Sequence, residues 1–79
     1  MDSVSHQIAK KVNTKVVVYF KDYTRSPVFG TFIDLKDSEE LAKKGMVRFV
    51  SESRWDLFDL TKDEKHTQIM TISSLKYIV

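Results

Sequence analysis

The chain has 79 residues, room for one domain whose small core hides roughly 60–65% of the unfolded surface. It holds no cysteine, which excludes disulfides, thiolate zinc sites and cysteine nucleophiles, and its histidines, His6 and His66, stand too far apart to form a metal-ligand cluster. Thirteen Lys and Arg against eleven Asp and Glu give +2, which demands no polyanion, and no apolar run reaches the ~20 residues that cross a bilayer.

The first predicted element is a short helix. Asp2 or Ser3 caps it, because a short side-chain oxygen accepts from the unsatisfied N–H groups of the first turn. Val4, Ile8 and Val12 recur at helical spacing and draw one apolar stripe. Gln7, Lys10 and Lys11 face away from it, and Asn13-Thr14 ends it. Met1-Asp2-Ser3 lacks the basic and apolar blocks of a signal peptide, so an intracellular, cytoplasmic protein is expected, with no membrane partner.

Lys15–Lys21 reads as a strand, rich in β-branched and aromatic residues. Val16, Val18 and Phe20 form one face, and Val17 and Tyr19 the other. A strand apolar on both faces needs cover, which the preceding helix can supply. Residues 22–27 form a turn, and Val28–Lys36 a second strand. Gly30 inside that strand marks a bend or a close backbone approach, and a bulge is expected near Ile33-Asp34. Asp37–Gly45 carries a helix signature: Asp37 as cap, Glu40 three residues on, lysines in the last turn, Gly45 as the stop. Met46–Ser51 is a third strand. Arg54–Thr61 reads as extended, either a separate strand or the bulged end of the third. Lys62–His66 is a charged loop, and Gln68–Ile72 and Leu75–Val79 are short strands split by Ser73-Ser74.

Together these elements predict a mainly β fold over residues 1–79. It is a small, strongly bent barrel of five or six strands, with an N-terminal α-helix and a short inserted helix. The run Leu75-Lys-Tyr-Ile-Val79 makes a sticky final edge with little charge to blunt it. Either it closes the chain's own barrel or a neighbouring subunit covers it. Head-to-tail pairing with a closing rotation gives a homo-oligomeric ring.

The order of helix, apolar strand, turn and glycine-bearing bent strand resembles the Sm-like proteins, including the bacterial Hfq branch, among the small SH3-like barrels. Residues 8–37 carry the likeness best. Gly30-Thr-Phe32-Ile-Asp-Leu35 resembles the first Sm motif, and Ile72-Ser-Ser-Leu75 the step between the last two strands of the Hfq branch. The chain departs from the family where Lys36 stands at its aspartate position, with Asp37 adjacent. It departs again where residues 38–45 replace the base-binding loop, and where Ser73-Ser74 replaces the Arg-Gly step. The resemblance implies a homo-oligomeric ring of roughly five to seven subunits, by head-to-tail closure. It places a base pocket among Lys36, Asp37 and Ser38 after the second strand and Ser73 and Ser74 before the last. It also lays the first helix on one flat face of the ring.

For an enzyme the residues offer little, and no cofactor or metal is expected. Asp56 and Asp59, three apart on a strand, point to opposite faces and read as solvated carboxylates. His66 in a charged loop reads as solvated too. Nucleic-acid binding has more support. A ring repeats Lys10 and Lys11, with Gln7 beside them, and likewise Lys43 and Lys44, into a circular basic band suited to a phosphate backbone. Tyr23 and Trp55 are candidate stacking platforms, although Trp55 fits a packed core position equally. Arg48 fits a phosphate contact or a salt bridge to an aspartate across the sheet. The expected function is therefore a non-catalytic ring that binds single-stranded RNA or DNA. The alternative is a structural or adaptor ring without nucleic acid.

Overall fold

The computed structural model describes residues 3–79. Helix α1 (Val4–Lys11) opens on Ser3, whose hydroxyl accepts from the His6 N–H at 3.2 Å. Asp2, the other expected cap, lies outside the described residues. Ile8 from the predicted stripe is buried, and Val4 packs against the same core. The helix exit is held by Asn13, which takes a left-handed backbone with φ 66°. Its N–H donates to the Phe32 carbonyl at 2.8 Å, so the exit is tied to the second strand before the first begins.

Five strands follow: β1 (Lys15–Phe20), β2 (Val28–Ile33), β3 (Met46–Ser51), β4 (Gln68–Thr71) and β5 (Leu75–Ile78). They form one antiparallel sheet in the order β4-β3-β2-β1-β5. The register assigns each side chain to a face, because paired residues point the same way. One face gathers Val16, Val18, Phe20, Phe32, Phe49, Met70 and Leu75 under α1, the larger core. Phe32 and Phe49 meet there edge to face, 5.1 Å between ring centres. The opposite face carries Val17, Tyr19, Phe29, Thr31, Ile33, Arg48, Val50 and Ile69.

Gly30 has the role read for it. A Cβ built there would lie 2.2 Å from the Val50 carbonyl oxygen and 2.4 Å from Cζ of Phe49. The Phe49 ring fills the space a side chain would take, so β2 and β3 approach more closely than any other residue allows. Gly45, at φ 73°, ends helix α2 (Ser38–Lys43) as expected.

Residues 54–61 correct the sequence reading. They are not extended: a 3-10 turn, Glu52–Arg54, leads into a third helix, α3 (Trp55–Thr61). Trp55 and Phe58, three residues apart, fall on one side of it and pack with Ile33 and Val50. That burial overrides the β preference of Trp and Phe. Consequently Asp56 and Asp59 are not on opposite faces; they stand one helical turn apart, and Asp59 accepts from Lys62 Nζ at 2.9 Å. The sheet is not closed into a barrel. Its edges, β4 and β5, are not hydrogen-bonded to one another, and α3 occupies the chain that a sixth strand would need.

Smaller differences have local causes. β2 stops at Ile33 without the expected bulge, because the Leu35 N–H turns to the Ser38 hydroxyl at 2.8 Å. The irregularity lies instead between Tyr19 and Phe20, where β1 meets β5. The charged loop holds a 3-10 turn, Glu64–His66, and Ser73-Ser74 fall in another, Ile72–Ser74.

Candidate functional site

The candidate residues fall into three groups. Lys10 and Lys11 occupy the last turn of α1, exposed, where cations complement the helix C-terminus. Gln7 is half-buried on the same helix, and its Oε1 is buried with no hydrogen-bond partner.

Beside α1 lies a cleft of about 380 Å3. Ser5 and Ala9 of α1 and Val12 just beyond it line the cleft together with Asp34, Ser38, Ala42 and Ile72. The fold thus brings Ser38 and the turn that carries Ser73 and Ser74 to the flank of the basic helix. The Ile72 N–H donates to the Gly45 carbonyl at 2.8 Å, which fixes that turn against the end of α2. Two of these hydroxyls are already engaged: Ser38 accepts from Leu35, and Ser74 donates to the Thr71 carbonyl at 2.6 Å. Ser73 is exposed, and so are Lys43 and Lys44 at the end of α2.

Asp37 belongs to a different cleft, shared with Lys62, Asp63 and Glu64, and Lys36 borders both that cleft and a neighbouring one that holds Asp34, Ser38 and Ala42. Asp37 stands at the N-cap position of α2, yet its side chain caps nothing. Its carboxylate accepts instead from Nε of Arg48 at 2.9 Å and from Nη2. Nη1 of Arg48 donates to the Thr67 hydroxyl at 2.7 Å, and Glu64 stands 3.5 Å from Nη2. Arg48 rises from the centre of the sheet and is buried, so its charge needs these partners. The guanidinium hydrogen bond holds the Asp37 carboxyl below the usual carboxylate range, and the same bond raises the Arg48 pKa. The aspartate therefore comes from the loop before α2, not across the sheet, and Arg48 is consumed by the fold.

Of the candidate platforms, Tyr23 is 94% exposed on the β1–β2 turn. Trp55 is half-buried against Phe58, 6.0 Å between ring centres. The sequence reading missed a further aromatic surface on the sheet face that α1 does not cover. Tyr19 and Tyr77 stack at 4.5 Å with an interplanar angle of 18°. Phe29 stands exposed nearby in register with Val17, beside a cleft of about 140 Å3 that runs to Trp55. The second apolar face of β1, Val17 and Tyr19, was its signal; the pairing partners were not legible.

No protein-family model matches the chain, and no curated protein or solved structure does. Among the described residues no group of His, Asp and Glu is placed to hold a metal ion, and no helix is long and apolar enough to cross a membrane.

Proposed function

We propose that this chain is the subunit of a Sm-like homo-oligomeric ring, of roughly five to seven copies by head-to-tail closure, that binds single-stranded nucleic acid. One observation carries the reading. The sheet ends in two four-residue edge strands, and each shows an exposed apolar residue on the same face: Ile69 on β4 and Tyr77 on β5. Joining β5 of one copy to β4 of the next continues the sheet and lays Ile69 beside Tyr77. Such a heterologous contact closes only if the rotation per subunit completes a circle. The helix-first order and the turn between β4 and β5 agree with the family resemblance.

RNA is the favoured ligand, with single-stranded DNA as the other, and the protein acts without catalysis. Lys10 and Lys11 supply phosphate contacts repeated around the ring, and Gln7 beside them, with its Oε1 enclosed, has to turn outward to meet a base. The cleft that holds Ser38 and ends near Ser73 and Ser74 is the place for a base. Lys36 adjoins it beside Ser38 and Ala42, and Asp37 stands outside it, held by Arg48. A structural or adaptor ring is the second reading, favoured by a net charge of only +2. Fluorescence anisotropy on a labelled oligonucleotide separates the two. Binding that weakens steeply with salt and is lost in Lys10→Glu/Lys11→Glu supports the first, since lysines contact phosphate without reading sequence. A parent protein that fails to bind at about 50 mM salt, where phosphate contacts are strongest, leaves the second.

A further inference from the structure

We propose that the α3 side of the sheet is a two-fold interface between two copies of this chain, in which Leu60 of each α3 enters the other copy's cleft between Phe29 and Trp55 and Leu57 packs against its rim. This surface lies on the sheet face, touches the β5 side only through Val79, and does not depend on the ring.

The sheet face under α3 is only partly covered. Trp55 and Phe58 seal Ile33 and Val50, but Phe29 remains 56% exposed beyond them. The outward side of α3 is also apolar, with Leu57 50% and Leu60 83% exposed. In a helix, residues 56, 57 and 60 lie within about 100° of one another, so Asp56 and the two leucines share that outward side. The chain thus displays an apolar ridge and an apolar cleft next to each other on one face. An isologous dimer requires this pairing, because each feature must meet the other across the two-fold axis. The cleft is about 140 Å3. Apolar cavities of ~150 Å3 take up a molecule of benzene, so one leucine side chain is a fitting occupant.

Charge selects protein over nucleic acid here. The ammonium of Lys15 stands at the cleft with Glu52 3.9 Å away, a pair too exposed to hold firmly. Asp56 has no ion pair among the described residues, whereas Asp59 is held by Lys62. Docking Leu60 into the opposite cleft brings Asp56 toward Lys15. With Lys15 facing Glu52 and Lys62 held by Asp59, the carboxylate of Asp56 is left to repel a phosphate backbone, and the leucine ridge of α3 offers no π-face to a base. A small domain with no cysteine, and so no disulfide, is also the kind that gains stability from a second copy.

The test is the double variant Leu57→Glu/Leu60→Glu. Both positions are exposed, so the variant should keep the parent's far-ultraviolet circular dichroism and melt cooperatively. Native mass spectrometry is expected to give an even number of subunits for the parent and half that mass for the variant. Trp55, the only tryptophan, lines the cleft and reports independently. Its emission should shift to the red when the parent is diluted and be red-shifted in the variant at every concentration. Lys15→Glu should weaken the assembly, and adding Asp56→Lys should restore it. A parent that is monomeric at tens of micromolar, or equal masses for parent and variant, overturns the proposal. So does quenching of Trp55 by an oligonucleotide, which would give this face to nucleic acid. If the ring reading alone fails, the parent is a dimer. If this inference alone fails, parent and variant share one ring mass.

Discussion

The two faces of the sheet are finished differently. Under α1, Val18, Phe32, Phe49 and Leu75 lose all contact with solvent. Under α3, coverage stops after Ile33, Val50 and Phe58, and an aromatic strip from Phe29 to the Tyr19–Tyr77 stack stays in water. Both helices have similar lengths, eight and seven residues, so length does not explain the contrast. What differs is where they cross. α1 lies against β5 and buries Ile8 in a core that draws on all five strands, whereas Trp55 and Phe58 of α3 pack only on Ile33 of β2 and Val50 of β3. The α1 face holds the fold together; the α3 face is where the molecule has surface to offer.

That contrast can be broken most severely at Gly30, which sits on the α1 face. Gly30→Val puts its branches into the Val50 carbonyl and the Phe49 ring. Overpacking costs about 3 kcal/mol or more, against a total stability of roughly 4–12 kcal/mol for a chain of this size. Little folded protein is expected, by circular dichroism and soluble yield. An unchanged melting temperature would mean that β2 and β3 are not this close.

Truncation of large core residues sharpens the comparison. Phe32→Ala under α1 and Phe58→Ala under α3 each remove a buried ring, worth about 3–5 kcal/mol. Their consequences should differ in kind. Phe32→Ala is expected to lower the single cooperative transition. Phe58→Ala is expected to release α3 while the β1–β2 amides keep their protection in hydrogen exchange. Equal loss of protection in both would make the faces one cooperative unit.

A smaller effect comes from the ion pair on the α3 face. The carboxyl of Asp37 is depressed by Arg48, so its contribution is present above the ordinary carboxylate pKa and is lost as pH falls through the lower folded value. Asp37→Asn should therefore melt below the parent at neutral pH, and the gap should narrow once pH drops under about 3.9. A gap that is constant with pH would remove charge from the explanation. The smallest change expected is at Lys62, which ends α3 in a left-handed backbone at φ 55°. Lys62→Gly relieves that strain at the loss of an exposed pair with Asp59, a net gain of about 0.5–1 kcal/mol in thermal melts.

Local signals made the α1 side readable in advance. The stripe from Val4 to Val12, the alternation in β1, and Gly30 and Gly45 each announce a backbone requirement within a few residues. α3 was misread because Trp55, Leu57, Phe58 and Leu60 favour strands by type, while the helix is favoured by a packing site on β2 and β3. The three-residue spacing of Trp55 and Phe58 was the available clue. Similarly, nothing local to Arg48 says that its partners are Asp37, Thr67 and Glu64, since each lies eleven or more residues away. The candidate site was legible as residue types, a lysine pair and flanking serines. Its division into separate clefts was not, because that depends on how the loops after β2 and before β5 fold back.

The pairing of β1 with β5 has a consequence in time. β1, β2 and β3 are joined by neighbouring connections, but Val18 must wait for Ile78. Closing so long a loop is entropically late, after the local pairs have formed. β5 should then be the last strand to dock and the first to leave, with the fastest-exchanging amides of the sheet. While it is away, the outer edge of β1 is open, and the β5 of another copy fits it as well as its own. Exchanged dimers should therefore accumulate when the protein is refolded at high concentration and fall away when it is refolded dilute.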